Sequence, residues 1–378
     1  MADRLGEILA DGVPRVCSAA VALIAVDGRV AAAAATGELV RYADAEGSLA
    51  PERPPAGRDS IFDLASISKL FTTTVLLSLA EEGRLGLDEP VATWIPGSDG
   101  RITLRRLLTH TAGLPPTRRI DLELPGADAA ERMAAMLDTP IIHPVGGPYL
   151  YSDVGMVMAG RVAELAGDAP LDELVRTRVT GPLGLADTGY RPTALPRIAA
   201  TEWKRERARP APDPGASSAA LDPGVSNAAP DASASGAGCV RGEVHDETAY
   251  ALGGVAGHAG LFATAGDLLA FGEALRLGGA PVLRPESVAE MVRDQGAEGA
   301  AFRHGLGVRI GDPAIVGPLS GAFGHSGFTG TSLVVDPARR LTVVLLTNAV
   351  HPVRGREGIR ELRHAVAAEA LRLHDLAL

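Results

Sequence analysis

The sequence predicts an α+β protein: one antiparallel sheet built from both termini and flanked by helices, with a mainly helical lobe inserted between them. Three observations lead there. Apolar and β-branched runs broken by turn residues lie near the two ends of the chain. Apolar residues at helical spacing fill the middle. Strands segregated from helices, rather than alternating with them, argue against βαβ winding.

Residues 3–11 have the spacing of a short amphipathic helix. Runs 19–26 and 30–35, joined by Asp27-Gly28-Arg29, read as a hairpin with an Asp-Gly turn. Segments 67–82, 103–109, 128–138, 154–166 and 171–178 follow with helical periodicity, punctuated by Gly or Pro. Residues 205–238 stand apart in composition, with Ala, Pro, Ser, Asp and Gly dominant, and read as a disordered surface insertion. A second hairpin is expected from 331–335 and 341–347, and 358–373 closes the chain as a helix. The expected division is a sheet lobe from 1–60 and 240–378, a mainly helical lobe over 61–204, and the low-complexity segment 205–238. A cleft between two lobes is a natural ligand site.

Composition narrows the function classes. The chain has 378 residues, 46% hydrophobic and 22% charged, enough to bury a core without disulfides or metals. Its net charge of −10 argues against a nucleic-acid partner or an anionic membrane surface. No apolar run approaches the roughly 18–20 residues of a membrane span. Cys17 and Cys239 cannot build a disulfide framework and read as inert. The first ten residues lack a basic stretch followed by an apolar one, so the expected location is cytoplasmic. The glycine-rich stretch 253–260 lacks the Lys-Ser/Thr of a phosphate loop.

Three local patterns carry chemistry. Ser66-Ile67-Ser68-Lys69 opens an apolar helix, and residues three apart share a helix face. Lys69 can therefore reach the Ser66 hydroxyl, which is a poor nucleophile until a base takes its proton. Tyr151-Ser152-Asp153 stands just before the next long helix. A tyrosine beside an ammonium can act as a base, and Asp153 is a candidate helix cap. His325-Ser326-Gly327-Phe328 precedes the C-terminal hairpin, where small residues let a substrate approach a strand. Ser326 is a poor nucleophile there, because a strand follows and Phe328 replaces the last glycine of a nucleophile elbow. His110 reads as a structural hydrogen-bonding residue, and His258 as a candidate lining residue of the cleft. His245, Asp246 and Glu247 lack a recognised metal-ligand spacing.

In this order the three motifs resemble those of the serine β-lactamase and penicillin-binding protein superfamily, in its class C-like branch. Supporting stretches are 107–115, 181–185 and 244–262, the last similar to a penicillin-binding protein 4B-like subgroup. The resemblance spans about residues 15–370, except for the insertion. It implies a β-lactamase/transpeptidase-like fold and an acyl-enzyme mechanism without metal or organic cofactor. Ser66 would attack a carbonyl, Lys69 and Tyr151 would share the base role, and the backbone N–H groups of Ser66 and Phe328 would form the oxyanion hole. Asp153, His325, Ser326 and Gly327 would contact substrate.

Two departures bear on substrate. His325 stands where the family often has lysine, which removes a fixed charge for a substrate carboxylate. Asp153 stands where asparagine is common, which would hold Lys69 charged. Both favour a small ester or amide substrate over a β-lactam. An acyltransferase using the same acyl-enzyme is the alternative, and a non-catalytic penicillin-binding-type sensor is another.

Overall fold

The computed structural model describes residues 4–205 and 238–377. The expected insertion therefore lies outside the described residues, apart from its two end positions. A seven-stranded antiparallel sheet runs in the order Arg29–Gly37, Ala19–Val26, Leu341–Thr347, Ser332–Asp336, Phe323–Ser326, Arg309–Ile310, Arg303–His304. Both ends of the chain meet in this sheet, where Ala20 pairs with Thr347 and Val26 with Leu341. Asp27 and Gly28 alone make the first turn, at φ 55° and 77°, so Arg29 joins the second strand.

Period-two alternation sorts the strand residues between two cores. Val21, Leu23, Leu333, Val335 and Val344 face the helix Ala265–Arg276 through Leu268 and Phe271. Ala22, Ile24, Val334, Val343 and Leu345 face the two terminal helices, Arg4–Gly12 and Ile359–Ala377, through Leu5, Leu9, Leu362 and Val366. The Leu341–Thr347 strand is buried along its whole length, as a central strand covered on both faces must be.

The helical lobe is organised around Ser68–Glu81, in which every residue from Ser68 to Leu79 is buried. A helix enclosed on all sides needs no polar face, which explains its continuous apolar and hydroxyl sequence. It packs against Asp153–Gly167. The loop at Gly257 is wedged beside both: a Cβ there would lie 2.1 Å from the Met156 carbonyl oxygen and 3.0 Å from the Gly160 Cα. Thr72 Oγ1 donates to the Gly257 carbonyl at 2.9 Å.

A small second sheet, Ile61–Asp63 with Leu261–Thr264 and Gly189–Tyr190, holds the start of the Ser66 turn. Trp203–Lys204 pairs with Gly238–Cys239, so the described ends of the compositional outlier lie side by side. Among the described residues no helix is long and apolar enough to cross a membrane.

Candidate active site

Ser66 sits on a single tight turn, Ala65–Ile67, between the Ile61–Asp63 strand and the Ser68–Glu81 helix. Ala65 is left-handed at φ 47°, a conformation that costs an alanine about 1 kcal/mol or more. Asp63 holds it there, its Oδ1 accepting from the Ala65 N–H at 2.8 Å. The other Asp63 oxygen accepts from the His245 N–H at 2.7 Å. Burial pushes the Asp63 carboxyl up despite both bonds.

Lys69 and Tyr151 converge on the Ser66 hydroxyl. Lys69 Nζ lies 2.8 Å from Ser66 Oγ, and the Tyr151 hydroxyl 3.0 Å from it. Lys69 is fully buried, yet Nζ also meets Asp153 Oδ1 at 2.8 Å and the His258 carbonyl oxygen at 3.2 Å. Ser66 Oγ and the His258 carbonyl accept its hydrogen bonds, and the Asp153 carboxylate pairs with its charge. Burial pulls the Lys69 pKa down, but Asp153 and Tyr151 outweigh it and hold it above its ordinary value.

Asp153 is therefore not the helix cap expected from its position. Ser152 takes that role, its hydroxyl accepting from the Gly155 N–H at 3.0 Å. The cap frees the Asp153 carboxylate for Lys69. Tyr151 is bracketed by His110, whose carbonyl accepts from the Leu150 N–H at 2.9 Å and whose Nδ1 accepts from the Ser152 N–H at 3.1 Å. Burial keeps His110 neutral, its pKa well below the usual imidazole range. His258 does not line an open cleft. It is buried, and its Nε2 lies 2.8 Å from Asp246 Oδ1.

The third motif lies on the Phe323–Ser326 strand and the loop after it. Gly327 presses against the nucleophile turn: a Cβ there would lie 2.5 Å from the Leu64 carbonyl oxygen and 2.2 Å from Thr331 Oγ1. Thr329 and Thr331 hydroxyls clasp the loop to the Asp63 and Leu64 carbonyls, at 2.7 and 3.1 Å. Ser326 is half-buried, paired with Ser332. His325 is buried with its Nδ1 donating to the Ser326 carbonyl at 2.9 Å, and burial drives its pKa well down, so it carries no fixed charge. Phe328 is 60% exposed, its ring stacked on His245 and under the Arg354 guanidinium.

Arg309 is the residue that sequence reasoning missed. Its guanidinium lies 5.0 Å over the Tyr151 ring, while Nη1 pairs with Asp312 at 3.1 Å. It comes from a two-residue strand, Arg309–Ile310, beside the His325 strand, and no local motif marks it. Glu247 belongs to an ion network with Glu202, Lys204 and Arg354, and His245 Nε2 hydrogen-bonds Glu202 at 3.0 Å. Among the described residues no group of three or more His, Cys, Asp or Glu side chains is arranged to hold a metal ion.

Comparison with known proteins follows the same outline. A family model described as Beta-lactamase matches residues 13–368. A protein of Escherichia coli K12 named "Putative D-alanyl-D-alanine carboxypeptidase" is 31% identical over 362 residues, covering 87% of this chain and 78% of that one. The structure of EstCE1, described as a hydrolase with promiscuous acyltransferase activity, superposes with a TM-score of 0.69 at 26% identity, covering 97% of this chain and 98% of that one. An octameric penicillin-binding protein homologue from Pyrococcus abyssi shares the fold with a TM-score of 0.69, at 20% identity over 98% of this chain and 77% of that one.

Proposed function

This chain belongs to the Beta-lactamase family of serine hydrolases, and on that premise we propose that it cleaves a small ester or amide through an acyl-Ser66 intermediate. The observation that carries the reading is the convergence of Lys69 Nζ and the Tyr151 hydroxyl on Ser66 Oγ, at 2.8 and 3.0 Å. Lys69, held as an ammonium, is the electrostatic partner, and the Tyr151 oxygen is the base that receives the Ser66 proton. As the Ser66 Oγ–carbonyl carbon bond forms, the hydroxyl proton passes to Tyr151. Negative charge grows on the carbonyl oxygen, in reach of the Ser66 and Phe328 N–H groups; one such donor is typically worth about 3–4 kcal/mol. Tyr151 then gives its proton to the leaving alcohol or amine as that bond breaks. In the second half, water attacks the ester, Tyr151 takes its proton, and Ser66 regains it on release.

Neutral His325 weakens the case for a β-lactam specialist, because it offers a hydrogen bond in place of a fixed charge. Arg309 restores a cation near Tyr151, which allows a substrate with a modest acidic group. The carboxypeptidase name of the Escherichia coli relative and the hydrolase activity of EstCE1 fit acyl-group chemistry of this kind. The promiscuous acyltransferase activity of EstCE1 also favours a second reading, acyl transfer to a nucleophile other than water.

Intact-protein mass spectrometry after p-nitrophenyl acetate, a fluorophosphonate and a penicillin, beside Ser66→Ala, tests the reading. A Ser66-dependent adduct is expected with the first two. Turnover retained in Ser66→Ala would overturn it.

A further inference from the structure

Arg363 is a cation where none is expected. It lies in the second turn of the Ile359–Ala377 helix and is 9% exposed. A positive charge near a helix N-terminus opposes the helix dipole. Among the described residues it makes no ion pair with a carboxylate, and burying an unpaired charge is costly. Burial lowers its pKa to about 10, which still leaves it charged at neutral pH.

What it grips is the loop of the third motif. Arg363 Nη2 donates to the Gly327 carbonyl at 3.1 Å and to the Thr331 carbonyl at 3.0 Å. The Gly327 N–H donates in turn to that Thr331 carbonyl at 2.9 Å, closing the loop on itself. The Gly327 carbonyl and the Phe328 N–H are the two ends of one peptide unit. A cation on the oxygen of a peptide withdraws electron density through its resonance and makes its N–H a stronger donor.

We propose that Arg363 is a positioning residue of the oxyanion hole: it aligns and polarises the Gly327–Phe328 peptide from behind, so that the Phe328 N–H stabilises the developing oxyanion. The inference rests on the acyl-Ser66 reading. It also accounts for the glycine at 327, since a side chain there would strike Thr331 Oγ1 and the Leu64 carbonyl and push this peptide away from Ser66. Arg363 touches no substrate. Its charge reaches the reacting oxygen through one peptide link.

The test uses the full chain, p-nitrophenyl cinnamate as the probe, and the variants Arg363→Gln and Arg363→Lys. Acylation is followed by p-nitrophenol release. The acyl-enzyme carbonyl stretch is read by difference Raman spectroscopy with 13C-labelled probe. Arg363→Gln is expected to slow acylation about tenfold to a hundredfold, below the loss from removing a whole oxyanion donor, with KM little changed. Its acyl-carbonyl stretch should move to higher frequency as the hydrogen bond weakens. Arg363→Lys keeps the charge and should recover most of both effects, and Arg363→Met, which removes the charge with little change of volume, replaces Arg363→Gln if that variant does not fold. A merely structural role would lower the melting temperature and leave the stretch in place. Wild-type acylation rate and carbonyl frequency in folded Arg363→Gln, or in Arg363→Met in its place, would overturn the inference while leaving acyl-Ser66 intact. Absence of a Ser66-dependent cinnamoyl adduct in the wild-type protein would overturn both.

Discussion

At Lys69 two forces oppose each other: burial favours the neutral amine, and the Asp153 carboxylate favours the ammonium. The carboxylate wins because it lies 2.8 Å away in a site shielded from water, where charge interactions are strong. Asp153→Asn should therefore lower the Lys69 pKa and move the basic limb of the kcat–pH profile to lower pH; an unmoved limb would mean that Asp153 does not set the charge. Gly327→Ala brings a methyl group within 2.5 Å of the Leu64 oxygen, so activity should fall by at least two orders of magnitude with a clear loss in melting temperature. Wild-type kinetics for that variant would contradict the close approach. The Ser66–Lys69 pair was legible in the sequence because helix geometry alone brings residues three apart together. Arg309 was not, because only the pairing of its strand with the His325 strand carries it to Tyr151.

The elements holding these residues are short where the chemistry is and long where the core is. The long helices were readable from their apolar spacing to within a few residues at each end. The strands Ile61–Asp63, Gly189–Tyr190, Arg303–His304 and Arg309–Ile310 were not, since two or three residues carry no period and owe their form to distant partners. The cap at 152 fell to the wrong neighbour for a related reason: serine and aspartate both cap well, and only the Lys69 contact decides between them. Ser152→Ala should cost about 1 kcal/mol of stability, the usual loss for a helix cap. Because Ser152 also ties the Tyr151 loop to the Pro115 carbonyl at 2.7 Å, its kcat should fall more than the destabilisation explains. Chemical denaturation together with steady-state kinetics on the same variant would separate the two losses, and an unchanged kcat would count against a loop-setting role.

Over the whole molecule, four buried imidazoles share one electrostatic character. His110 and His325 are held well below the ordinary histidine range, and His304 and His351 at about 4, each chiefly by burial. His351 accepts backbone N–H bonds from Arg41 and Tyr42 at 3.0 and 3.1 Å, which its charged form could not do. Histidines with depressed folded-state values stabilise fully above their unfolded pKa of about 6.5, and that stability is lost as pH falls towards the folded value. Each contributes a slope of up to about 1.4 kcal/mol per pH unit within that window. The raised Asp63 and Asp267 carboxyls act in the opposite sense. The urea midpoint should fall between pH 7 and pH 5; a flat profile would mean these rings are not neutral in the fold. The meeting of both termini in one sheet was visible in the sequence, since each hairpin announced itself through its own turn, whereas the small second sheet had to be seen.

The pairing of Trp203–Lys204 with Gly238–Cys239 has a use in protein engineering. Two chain ends already hydrogen-bonded as neighbouring strands form a docking port for a foreign module whose own termini lie close together. The entropy of closing a flexible replacement grows only with the logarithm of its length, about 0.6 kcal/mol for each doubling. A fluorescent reporter grafted between these two strands should therefore leave the host's folding nearly untouched.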